Sequence, residues 1–133
     1  MFDDSANQGT WRISIGRAGR RPLVVLGLHP GLTDADDEVE LAVKVARANG
    51  CDGFVSMNLC PIRAADVHSL PSAIEDLAYR LNVDEVVRFV SKLASPRKIV
   101  ARCQGAGARD YLERSYAEIQ KRLSPHDVRW IEA

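Results

Sequence analysis

The chain opens Met1-Phe2-Asp3-Asp4, without the basic and apolar stretches of a signal peptide, and it holds no apolar run long enough to span a bilayer. These absences predict a soluble, cytoplasmic protein with no membrane partner. Cysteine is scarce. Cys51, Cys60 and Cys103 are odd in number and lack C-x-x-C spacing, which argues against a secreted disulfide framework. Net charge is missing too: eighteen basic and eighteen acidic residues cancel, so no global field draws the chain to nucleic acid or anionic lipid. Nucleic-acid binding would need a local basic face. No Walker loop and no G-x-G-x-x-G occurs, since Gly27-x-x-x-Gly31 is spaced for neither, and no cofactor is expected. Internal repeats, linkers and low-complexity segments are also lacking.

What remains is a chain of 133 residues with the apolar content of one ordinary domain, long enough to bury a core. Residues 1–9 are polar and small and read as a flexible N-terminus; residues 10–133 read as a single α/β domain. The organising stretch is 21–37. Leu23, Val24, Val25, Leu26 and Leu28 form a near-continuous apolar run, the pattern of a strand covered on both faces in a parallel sheet. His29-Pro30-Gly31 then turns the chain out at the carboxyl end of that strand, the edge where open α/β sheets bind ligands.

Around it, residues 10–15 alternate, Trp11, Ile13 and Ile15 against Arg12 and Ser14, as in a half-buried edge strand. Arg17, Arg20 and Arg21 mark a basic turn, read as a solvated loop or, less simply, a phosphate contact. Val39, Ala42, Val43 and Ala46 have helical spacing, with Asn49-Gly50 as the stop. Asp34, Asp36 and Asp37 before it suit helix capping, or a divalent cation. Residues 53–59 read as a second parallel strand after a right-handed crossover. Ser72 with Glu75 predicts a short helix through Arg80, and Asn82 with Glu85 a second helix burying Val86, Val87, Phe89, Val90 and Leu93. Ser95-Pro96 ends it. Residues 98–103 give a third parallel strand, Leu112, Ser115, Tyr116, Ile119 and Leu123 the inner stripe of a last helix, and residues 127–131 a final strand. The last four of these strands make a mostly parallel four-stranded sheet, with residues 10–15 at its edge.

This topology brings His29, Asn58, Cys60, Arg63, Cys103 and Gln104 to one edge. Gly27, Pro30, Gly31 and Gly105 at the same exits let backbone N–H groups approach a ligand. His29 serves as a general base or water-orienting residue, or as a turn histidine bonded to backbone. Asn58 reads a base edge or ties down its own loop. Arg63 suits an anion contact because it lies on the ligand edge. Cys60 and Cys103 with His29 form a metal or nucleophile cluster, or simply fill core.

Leu28-His29-Pro30-Gly31, Thr33-Asp34-Ala35-Asp36-Asp37, Asn58-Leu59 and Arg63-Ala64-Ala65-Asp66 resemble, in that order, a bacterial and phage family of unknown function. That family is marked by L-N-P-S-T-A-D, D-D-P-T, N-L-F-A and R-A-T. Its first motif in turn resembles the G-x-N-P-G loop of the uracil and mismatch-specific DNA glycosylases, here Gly27-Leu28-His29-Pro30-Gly31. The resemblance implies a three-layer α/β/α sandwich, a first loop that positions the attacking water, and a nucleobase, nucleotide or DNA ligand whose base is extruded before its sugar bond is reached. Gly105-Ala106 resembles the W-G-x-x-A segment of some members, with Gln104 in place of Trp. His29 replaces the loop Asn, Glu38 replaces the Pro after Asp-Asp, and the second DNA-pressing loop is expected to be missing after Trp130-Ile131-Glu132-Ala133. Two functions compete on these grounds: an enzyme acting on a nucleobase or nucleotide through His29 and Asn58, and a non-catalytic interaction or scaffold protein, including a homodimer.

Overall fold

Leu23 to Leu26 lose nearly all contact with water, and their side chains alternate between two apolar clusters. Val24 and Leu26 point to one face of the sheet, Leu23 and Val25 to the other, as the period of two in a strand requires. The structure is a computed structural model and describes residues 2–6, 9, 11–17, 19–32, 36–93 and 98–133.

Among the described residues the protein is an α/β fold with a six-stranded mixed sheet and three helices. In chain order these are β1 (Phe2–Ala6), β2 (Trp11–Arg17), β3 (Pro22–Gly27), α1 (Asp36–Ala48), β4 (Gly53–Asn58), α2 (Asp76–Ser91), β5 (Lys98–Arg102), α3 (Asp110–Leu123) and β6 (Val128–Glu132). The sheet order is β1-β2-β4-β3-β5-β6. β4, β3, β5 and β6 run parallel, while β1 pairs antiparallel with β2 and β2 antiparallel with β4. Helix α1 packs on the face made by Leu23, Val25, Phe54 and Ile99, and α2 and α3 pack on the face made by Val24, Leu26, Val55, Met57 and Val100. No helix among the described residues is long and apolar enough to cross a membrane.

Three differences from the sequence expectation have physical causes. The sheet has six strands rather than four, because β2 joins the four parallel strands through β4 and Phe2–Ala6 of the polar N-terminal stretch pairs with β2 as an exposed strand whose backbone hydrogen bonds leave little apolar trace. β2 is consequently interior, and Arg12 and Ser14 are buried, at 2% and 8% exposure, instead of facing water. The two helices expected over the Ser72 and Asn82 capping boxes are one helix, α2, which begins after Glu75. Asn82 sits within it, fully buried, and its side chain donates to the carbonyl oxygen of Asn58 at 2.7 Å rather than capping a helix end. The apolar stripe Ala78, Tyr79, Val83, Val86, Val87 and Val90 runs unbroken through that point. Helix α1 stops as its sequence indicates, with Gly50 in the left-handed region at φ 70°. Asp34, Ser95 and Pro96, with the capping and terminating roles read for them, lie outside the described residues, as does Thr33.

Candidate functional site

Register fixes which side chains meet at the carboxyl edge. Val25 is paired with Ser56 and Gly27 with Asn58 across β3 and β4. Because Phe54 faces α1, so do Ser56 and Asn58, two and four residues on. Cys103 follows Ala101 of β5 in the same alternation and packs on the same cluster. These residues floor a cavity of about 690 Å³ beside the first turns of α1. The β3 exit contributes Leu28, His29, Gly31 and Leu32; α1 contributes Asp37, Glu38 and Leu41; Ala65 and Gln104 complete the rim.

The exits are fastened to one another by backbone. Leu59 N donates to Gly27 O at 2.9 Å, Cys60 N to Leu28 O at 3.1 Å, Cys103 N to Leu26 O at 3.0 Å and Ala64 N to Pro30 O at 3.0 Å. The loops from β3, β4 and β5 therefore form one rim.

Of the residues singled out from sequence, Gly27, His29, Gly31, Asn58 and Gln104 line the cavity together, and Pro30, Arg63 and Gly105 do not. The Nδ1 of His29 lies 2.9 Å from the Pro30 carbonyl oxygen. A neutral ring there carries its proton on Nδ1 as donor, which leaves Nε2 as the acceptor. Gly27 has a definite reason to lack a side chain: a Cβ would stand 2.6 Å from Asn58 Oδ1. Asn58 itself is 3% exposed, and its Nδ2 has no hydrogen-bond partner among the described residues. A buried amide donor without a partner costs stability unless something supplies an acceptor. The Gln104 side chain donates to Glu132 at the end of β6.

Arg63 does not serve the cavity. Its guanidinium donates to the backbone carbonyls of Gly9 (2.7 Å) and Gly31 (3.3 Å) and to Ser5 Oγ (3.3 Å), so it pins the first loop to the N-terminal strands. Gly105, at φ 111°, lies so close to Leu28 that a Cβ would meet Leu28 Cδ1 at 2.9 Å; it shapes the rim from behind. Cys60 and Cys103 fall in the clusters on opposite faces of the sheet. Burial lifts the Cys60 thiol to about 11, and burial followed by the negative charge of Glu38 and Glu132 raises that of Cys103. Burial favours the neutral thiol at both, and the opposite faces keep the two from acting as a pair. Among the described residues no group of three or more His, Cys, Asp or Glu side chains is placed to hold a metal ion.

The residues that sequence reasoning missed are Glu38, Ser56 and Arg12. Glu38 lines the cavity, accepts from Ser56 Oγ, and accepts from Arg12 NH1 at 2.9 Å. Arg12 Nε also lies 3.8 Å from Asp3. This places a carboxylate on the cavity floor with each oxygen already engaged and its charge balanced by a buried guanidinium. A serine and an asparagine two apart in an otherwise apolar strand, Phe54-Val55-Ser56-Met57-Asn58, were the available signal. Compared with known proteins, the chain matches no family model, no curated protein and no solved structure.

Proposed function

We propose that the cavity at the carboxyl edge binds a nucleobase, free or as part of a nucleoside, nucleotide or DNA strand, and that the domain is a glycosylase-like sandwich which hydrolyses the bond between base and sugar. The observation that carries this reading is the Asn58 amide nitrogen, buried at the cavity and without an acceptor among the described residues. A base carbonyl or ring nitrogen supplies one. Leu28, Leu32 and Leu41 offer apolar walls to a planar ring, and Leu32 and Leu41 are 59% and 41% exposed without it. None of the lining residues is Arg or Lys, so the cavity suits the base, with any phosphate outside.

In this reading Nε2 of His29 accepts a proton from water while the water oxygen bonds to the sugar carbon. The base leaves with the bonding electrons and takes up a proton from solvent, and His29 returns the proton it accepted to solvent. Asn58 positions the base, and Ser56 and Glu38 shape the floor. The test is incubation with uracil-containing and mismatched oligonucleotides and with nucleosides, followed by chromatography for free base. Release of a base, lost in His29→Ala and Asn58→Ala, is expected. No release from any substrate contradicts hydrolysis.

A second reading is favoured by one feature of His29: its Nδ1 partner is a backbone carbonyl, not a carboxylate that would strengthen it as a base. The protein would then be a binding or scaffold domain without chemistry, with Leu32 and Leu41 covered by a ligand or by a second copy. Ligand binding without base release, or a dimer in light scattering, distinguishes it.

A further inference from the structure

We propose that the opposite, amino edge of the sheet carries a second site, for phosphate groups, independent of the cavity and of the function proposed for it. Helix α1 presents Glu40, Val43, Lys44 and Arg47 at positions i, i+3, i+4 and i+7, one face of the helix. Arg17, at the end of β2 and thirty residues away in sequence from Arg47, lines the same groove of about 490 Å³. A smaller hollow of about 180 Å³ adjoins it and shares Arg17, Val43 and Arg47, with Ala46, Cys51 and Phe54 behind them. The parallel strands β3 and β4 begin here, directly after Arg21 and Asp52.

The arginines elsewhere are mostly occupied. Arg12, Arg80, Arg88 and Arg122 pair with carboxylates, and Arg63 and Arg109 donate to backbone carbonyls. Arg17, Arg20, Arg21, Lys44 and Arg47 have no carboxylate within ion-pair distance among the described residues, and Arg17, Lys44 and Arg47 are exposed. The nearby acid Asp52 is committed elsewhere, since its two oxygens accept from the backbone N–H groups of Arg20 (3.1 Å) and Arg21 (2.7 Å). In a chain with no net charge, this leaves a local basic face among the described residues. Two guanidinium forks and an ammonium line the groove against a single carboxylate, Glu40, and this excess of positive charge suits phosphate oxygens, through bidentate contacts and a point charge.

The probes are inorganic pyrophosphate and a single-stranded oligothymidylate, titrated calorimetrically at low and at physiological salt. Binding weakened at least tenfold in Arg17→Ala/Arg47→Ala is expected. It should persist in Lys92→Ala/Lys121→Ala, which removes equal charge on the side of α2 and α3. The affinity should also fall steeply with salt. Pyrophosphate binding alone identifies a free phosphate ligand, and oligonucleotide binding alone a nucleic-acid backbone; either supports the site. Failure of both probes to bind at low salt, or an equal loss in the two double variants, overturns it. Circular dichroism melts of both variants confirm that any loss is not unfolding.

Discussion

Glu38 is the residue whose role was least visible in the sequence, because only the fold sets it against Arg12, twenty-six positions away. Its removal leaves a guanidinium that is 2% exposed with Asp3, at 3.8 Å, as its remaining carboxylate among the described residues. Glu38→Ala is therefore expected to destabilise the protein by about 2–4 kcal/mol in urea unfolding, slightly below the range for a fully buried pair because Glu38 keeps some contact with water. An unchanged midpoint would mean that Arg12 finds solvent. Cys60 gives a second prediction at this scale. Burial holds its thiol protonated to about 11 in the folded state, against an ordinary 9.0 in the unfolded chain. The folded state thus retains a proton that the unfolded state has released between those values. The contribution is complete below pH 9 and is lost as pH rises through 11. Urea midpoints measured from pH 8 to 11 should fall less steeply in Cys60→Ala than in the parent; Tyr79 and Tyr111, also raised chiefly by burial, keep some decline in both. Identical slopes would contradict it.

At the scale of elements, the parallel strands were legible because burial on both faces writes itself as the apolar runs Leu23-Val24-Val25-Leu26 and Ile99-Val100-Ala101. Helix α1 was legible from its stripe and its Asn49-Gly50 stop. What stayed hidden were features whose cause lies outside the element. β1 is held by its pairing with β2 and by the contacts of Arg12 with Asp3 and of Arg63 with Ser5, Arg12 of β2 is buried against Glu38 of α1, and α2 passes through Asn82 because that side chain serves the Asn58 carbonyl. Arg63 belongs here as well. The motif containing it was legible, and its task was not, since a loop arginine on a ligand edge looks like an anion contact until its carbonyl partners are known. Arg63→Ala is expected to lower affinity for a base severalfold by loosening the first loop, to an extent that does not vary with salt. Arg63→Lys should not restore it, because one ammonium cannot span the three acceptors. Titration of both variants with the same base at two ionic strengths checks this; salt-dependent loss rescued by Lys would indicate direct charge recognition.

At the scale of the whole molecule, the two edges of the sheet divide the chemistry. The carboxyl edge gathers His29, Asn58, Glu38 and Ser56 around a cavity with apolar walls and no Arg or Lys in its lining, and the amino edge gathers Arg17, Lys44 and Arg47 on one groove. The convergence of three loops followed from topology and so was readable in advance. The segregation of charge between edges was not, because it depends on which arginines find partners. The central claim is that Asn58 binds a base in the cavity. It is tested most directly by following the side-chain amide signal of Asn58 in a nitrogen-15 correlation spectrum, assigned by its loss in Asn58→Ala, during titration with uracil, thymine, adenine, guanine and cytosine. The account predicts that at least one base shifts that signal saturably, together with the backbone amides of Gly27, Leu28 and Gly31. An Asn58 signal that stays still with every base, or shifts confined to the amino edge, would contradict it.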